Sequence, residues 1–160
     1  MAELVWLTPD DWAEWRSIRL ASLLDTPSAY GSTYEREVAF TEQDWRDRLS
    51  SPAVVVRENG VPVAIGGGFS PDPGILYIIA MYVVPEHRGR GLSKLVLDAL
   101  VGHAREHGLR VEMSVNTDNE IARLGYLRYG FVPTGETRPL RDGVPDICLE
   151  LVLPDQGVIE

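Results

Sequence analysis

The sequence predicts one α/β (α+β) domain spanning residues 1–160, with a mixed, mostly antiparallel sheet of about six to seven strands flanked by about four helices. Three observations carry that expectation. The 160 residues, 44% of them apolar, are enough for one sizeable core and too few for two. Asn59-Gly60 sits between the β-branched runs of "AVVVRENGVPVAIGGGF", the pattern of a tight antiparallel hairpin. "GILYIIAMYVV", Gly74 to Val84, is almost continuously apolar, as expected of a central strand covered on both faces.

The remaining elements follow in order. "LVWL", Leu4 to Leu7, reads as a short strand. "TPDD" then offers Thr8 as an N-cap with proline at the first helical position. Trp12, Trp15, Leu20 and Leu23 fall roughly on one side of the helix that follows. Pro27 and Gly31 break it, so "DTPSAYGSTYE", Asp25 to Glu35, reads as a loop. "TEQDWRDRL", Thr41 to Leu49, opens with a cap and acidic residues and reads as a second helix. A helix is expected from Gly91 to about His107, closed by Gly108, with Leu92, Leu95, Val96 and Ala99 as its core stripe. "LRVEMSV" reads as a strand, "NEIARLGYLRY" as a helix closed by Gly130, and "FVPTGETRPL" and "DICLELVLP" as two last strands.

Composition narrows the function. The 15 Lys and Arg against 24 Asp and Glu give a net charge of −9, which disfavours nucleic acid and anionic membranes as partners and suits an amine. No basic region leads into an apolar run at the start, and no stretch of about 18 apolar residues occurs, so a cytoplasmic location is expected. The single cysteine, Cys148, excludes an internal disulfide and a cysteine-based zinc cluster, and it reads as an inert strand residue. The three histidines are too scattered to suggest a metal.

The chemistry concentrates in "VVPEHRGRGLSKLVLDAL", Val83 to Leu100. Gly89 and Gly91 remove side chains where a strand passes into a helix, so main-chain N–H groups can approach a ligand. The helix directs its positive dipole end and its unpaired first amides at the same place, an arrangement suited to phosphate. Arg88, Arg90 and Lys94 add formal positive charge there, against the protein's negative total. The spacing is neither a Walker loop nor a dinucleotide fingerprint, and a solvated turn is the competing reading.

Together with "NTDNEIARLGYLRYGF", Asn116 to Phe131, this stretch resembles the GCN5-related N-acetyltransferase (GNAT) superfamily. The acetyl-CoA motif [RQ]-x-x-G-x-[GA] reads here Arg88-Gly89-Arg90-Gly91-Leu92-Ser93, with serine at the last position. The second signature, N-x-x-A-x-x-x-Y-x-x-x-G-F, is matched at Asn119, Ala122, Tyr126, Gly130 and Phe131.

The resemblance implies an acetyl-CoA-dependent N-acetyltransferase working by direct attack of an amine on the thioester. The acceptor would be a small-molecule amine or a peptide N-terminus. It implies that the strands around 75–84 and 110–116 splay apart, and that the pyrophosphate lies on the amides of Gly89 to Lys94. It also implies that pantetheine pairs with the strand edge at Met81 and Val83, and that Tyr126 protonates the departing thiolate. Independently, Asn119 and Tyr126 lie on one helix face roughly 10 Å apart, within reach of one long ligand. A core tyrosine beside Tyr129 is the alternative for Tyr126.

The position that carries a glutamate base in some relatives is Ser114 here. Glu112, Glu35 and Glu37 are the other candidate carboxylates, each also readable as a solvated surface group. Tyr30, Tyr34 and Trp45 either line the acceptor pocket or belong to the core. Relatives are often homodimers. An acyl-CoA-binding sensor with little catalysis is the second reading of the same motifs.

Overall fold

A computed structural model describes residues 2–154; the ends of the predicted 1–160 span lie outside the described residues. Seven strands form one sheet in the order β1-β2-β3-β4-β5-β7-β6. They are β1 (Ala2–Trp6), β2 (Ala53–Glu58), β3 (Val61–Phe69), β4 (Ile75–Val83), β5 (Arg110–Asn116), β6 (Val132–Pro139) and β7 (Ile147–Leu153). Five α-helices accompany them: α1 (Trp12–Asp25), α2 (Tyr34–Val38), α3 (Glu42–Arg48), α4 (Leu92–Glu106) and α5 (Glu120–Tyr129).

Local chemistry explains most boundaries. Thr8 and Asp11 form a capping box around a single 3₁₀ turn that leads into α1, and Thr41 and Asp44 do the same for α3. Asn59 and Gly60 adopt φ of 52° and 80°, the backbone of a type I′ turn, and close the β2–β3 hairpin with Glu58 opposite Val61. Two expectations need correction. The segment 25–35 is not all loop: Thr33 accepts a hydrogen bond from the Arg36 amide and starts α2. Leu95 is exposed, and the buried stripe of α4 runs instead through Leu92, Val96, Leu97, Leu100, Val101 and Ala104. Both stripes have helical spacing, and only the sheet beneath α4 selects between them.

The sheet separates two apolar clusters. One packs α4 and Phe131 against Val54, Val56, Ile78, Val111 and Leu151. The other packs α1 and α3 on the opposite face, around Trp15, Leu23, Val55, Ile65 and a fully buried Trp45.

The site is set by β4. It pairs antiparallel with β3 along its length, but parallel with β5 only at Ile75, Leu76 and Tyr77. Beyond Tyr77↔Glu112 the two strands part, as the family resemblance implied. Within β4 the register with β3 slips between Ile65 and Gly67, and Ala80 adopts a left-handed φ of 61°. A Cβ on Gly66, beside that bulge, would stand 2.5 Å from Val96 Cγ1 and 2.7 Å from Met81 Sδ. Glycine is therefore what allows the bulged strand and α4 to close on β3.

Candidate active site

The gap between β4 and β5 opens into a cleft of about 1060 Å³. At one end β4 runs into a 3₁₀ turn, Pro85–His87, and then the glycine loop. Gly89 and Gly91 have φ of 78° and 79°, and a Cβ at either would meet nothing within 4 Å. Gly91 is the N-cap of α4 and provides no side-chain cap, so the first amides of that 15-residue helix are free of a capping partner. Ser93 and Arg88 border the cleft, while Leu92 is buried in the core and can offer a ligand only its main chain. Free amides, left-handed glycines and open space fit a pyrophosphate.

The loop's cations are placed differently from the sequence expectation. Arg88 Nη2 lies 2.7 Å from Asp25, Arg90 Nη2 lies 2.8 Å from Glu58, and Lys94 Nζ lies 2.8 Å from Asp98. Each formal charge is balanced by a carboxylate, so the local excess suggested by the sequence is absent. Arg88 Nε also donates to the Val83 carbonyl at 2.9 Å, and Tyr30 Oη donates to the Met81 carbonyl at 2.8 Å. Those bonds brace the parted edge of β4 from two sides.

Across the cleft, Asn119 caps α5 by accepting from the Ala122 amide at 3.4 Å, and Asn119, Ala122 and Tyr126 all line the cavity. The Tyr126 ring packs edge-on against Phe131 with centroids 6.2 Å apart. Desolvation pushes the Tyr126 phenol above its ordinary value of 10, so it stays protonated at physiological pH.

The candidate bases separate. Glu35 is exposed on α2 and does not line the cleft. Glu37 is not a surface carboxylate: it is fully buried, at the cleft wall, with the Arg19 fork on its two oxygens at 3.1 Å each and Arg48 at 3.6 Å. Burial opposes its ionisation, the Arg19 pair outweighs burial, and its pKa falls below the ordinary value. A carboxylate so held is a structural ion. Glu112 is bound to Arg110 at 2.8 Å and does not line the cleft. Tyr30 lines the cleft, whereas Trp45 belongs to the core and Tyr34 packs against the α1 side.

Sequence reading missed Arg19, Tyr77 and Glu150. Arg19 had a signal, a charge between Trp15 and Leu23 on the apolar stripe of α1. Glu150 had none, because it is brought opposite Ser114 by the pairing of β5 with β7. Cys148 is buried, and burial raises its thiol, consistent with an inert residue.

A mixed sheet parted at β4 and β5, with an uncapped helix start beside the gap, defines a cleft that fits a long, phosphate-bearing ligand. The family comparison agrees: residues 12–131 match the acetyltransferase (GNAT) family model, and the chain belongs to that family. It is 26% identical over 141 residues to the L-amino acid N-acyltransferase MnaT of Escherichia coli K12, covering 75% of this chain and 81% of that protein. It is 33% identical over 115 residues to the L-2,4-diaminobutyric acid acetyltransferase of Streptomyces anulatus, covering 69% of this chain and 60% of that one. Its fold matches that of yncA from Salmonella typhimurium, solved with its cofactor acetyl-CoA. The TM-score is 0.77 at 19% identity, over 100% of this chain and 98% of the other. The protein is an acetyl-CoA-dependent N-acetyltransferase.

Proposed function

We propose that the protein acetylates the primary amine of a small, carboxylate-bearing acceptor of the α-amino acid type. The single observation that carries the reading is the cleft itself, open at the free amides of α4 and walled at its other side by Arg19 and Arg48. These two arginines share one carboxylate, Glu37, and Arg19 Nη1 has no protein hydrogen-bond partner among the described residues, so a guanidinium donor remains for an anionic acceptor group. The relatives named for amino acid substrates support the same acceptor class.

Acetyl-CoA supplies the acyl group and a thiolate leaving group. In this reading the amides of Gly89, Arg90, Gly91, Leu92, Ser93 and Lys94 hold the pyrophosphate, and the edge of β4 at Met81 and Val83 aligns the pantetheine. Asn119 and Ala122 form the far wall, and Tyr126 gives a proton to the sulfur. The chain acts as one domain in the cytoplasm, where acetyl-CoA is made and used.

The test is acetyl-CoA titration by calorimetry, followed by a thiol-release assay over amino acids, polyamines, aminoglycosides and short peptides. Binding with release for amino acids is expected. Gly91→Asp should abolish binding while leaving the unfolding midpoint within a few degrees, and Tyr126→Phe should lower kcat with an unchanged Kd for acetyl-CoA. Release confined to polyamines or peptides would overturn the acceptor class, and no binding would overturn the site.

A further inference from the structure

The end of β4 farthest from the glycine loop carries a polar cluster built on Tyr77, Arg138 and Glu150. Tyr77 is the last β4 residue paired with β5, and six residues of strand, about 20 Å, separate it from Val83. Its hydroxyl donates to Glu150 Oε1 on β7 at 2.9 Å, and Arg138 Nε on β6 pairs with the other oxygen of that carboxylate. The Arg138 guanidinium lies 5.5 Å above the Tyr77 ring. Glu150 stands directly opposite Ser114 in the β5–β7 register, and Tyr77, Ser114 and Arg138 all line the cleft. Three strands, β4, β5 and β6, therefore bring a polar residue to one carboxylate on β7, at the position where Ser114 lacks one of its own.

We propose that Tyr77 and Glu150 form the relay that takes the proton from the acceptor's ammonium group. This rests on the acetyl-transfer reading and adds to it the missing base. The ammonium gives a proton to Tyr77 Oη as the Tyr77 hydroxyl proton passes to Glu150 Oε1, so R–NH₃⁺ and a carboxylate become R–NH₂ and a carboxylic acid. Tyr77 is neutral before and after. The acid returns its proton to solvent at the half-exposed Arg138 rim. Tyr77 touches the substrate and is the catalytic residue, whereas Glu150 acts through it.

Glu150 differs from Glu37 in that Arg138 holds only one of its oxygens and the other is left to Tyr77, whereas the Arg19 fork takes both oxygens of Glu37. Burial holds the Tyr77 phenol up at about 12, with a hydrogen bond from Ser114 opposing and the Glu150 carboxylate adding to the rise, so Tyr77 stays protonated. The other groups facing the pair are Arg138 from β6, Cys148 along β7 with its thiol raised by burial, and Ser114 from β5. Glu112, the neighbouring carboxylate on β5, is already bound to Arg110. Phe69 on β3 covers the Tyr77 ring at 5.8 Å.

Tyr77→Phe and Glu150→Gln, assayed with L-methionine and L-2,4-diaminobutyrate as probes, test the relay through a pH profile. Both variants should lose about 100-fold in kcat/KM at pH 7, the lower range for a general base. The loss should shrink to a few-fold as pH approaches the amine's own pKa, where solution supplies the free amine. Glu150→Asp should recover part of the activity at pH 7, and the acetyl-CoA Kd should be unchanged in all three. Without any substrate, ¹³C NMR of labelled tyrosine should show the Tyr77 pKa falling in Glu150→Gln, while burial still keeps it above the ordinary value of 10. A loss of equal size at every pH, or an unmoved Tyr77 titration, would overturn the relay alone. A wild-type protein with no turnover on any amine would overturn the acetyl-transfer reading and the relay together.

Discussion

Glu37 shows how one residue's surroundings decide its chemistry. It has the position of a candidate base, yet its oxygens are filled by Arg19 and Arg48 in a setting closed to water. Removing it leaves a buried guanidinium without its anion, which costs about 3–5 kcal/mol. Glu37→Gln should therefore lower the urea unfolding free energy at pH 7 by an amount near the lower end of that range. The pH dependence has a definite sign. Because the folded pKa lies below the ordinary 4.5, the pair's contribution is complete above that value and is lost as pH falls through the folded pKa. Thermal unfolding followed from pH 7 to pH 3 should show a steep acid limb in the wild type and a shallower one in Glu37→Gln. Parallel limbs would mean that another carboxylate drives the loss.

At the scale of elements, the cleft exists because β4 cannot pair with β5 and also carry its bulge. Ala80 in the left-handed region, and the register slip opposite Gly66, turn the strand away after Tyr77. Gly66 is the partner of that distortion, since a Cβ there would overlap Val96 and Met81. Gly66→Ala should destabilise the protein by about 1–3 kcal/mol, as overpacking does, read from denaturant unfolding. Because Met81 is displaced with it, acetyl-CoA affinity should fall as well. A variant that loses stability but keeps affinity would separate the bulge from the cofactor site.

Elements were legible in the sequence wherever a local signal fixed them. The Asn59-Gly60 turn, the Thr8 and Thr41 caps, and the glycines closing α4 and α5 each act within a few residues. The family was legible for the same reason, because the glycine loop and the segment around Tyr126 are contiguous motifs. What escaped depends on pairing between distant segments. Leu95 and Leu97 are equally apolar until the sheet chooses a face. Glu150 is an unremarkable alternating residue until β7 is inserted between β5 and β6. Arg19 and Glu37 are 18 residues apart and meet only when α2 folds back on α1.

For the molecule as a whole, the charge distribution makes a prediction opposite to the one its motif suggests. A loop with Arg88, Arg90 and Lys94 in a protein of net charge −9 looks like a cationic trap for phosphates. In the fold those three cations are bound to Asp25, Glu58 and Asp98, so the attraction left to the site comes from α4 amides and the helix dipole. Such short-range hydrogen bonds are little affected by a Debye length that shortens from about 10 Å at 0.1 M salt to about 3 Å at 1 M. The long-range term is repulsion between an acidic protein and a polyanionic ligand, and salt weakens it. Acetyl-CoA affinity measured by calorimetry from 0.05 to 0.5 M NaCl should thus stay level or rise slightly. A steep fall would mean that the arginines leave their carboxylates when the ligand arrives. In that case Glu58→Gln, which frees Arg90 in advance, should bind acetyl-CoA more tightly than the wild type at low salt.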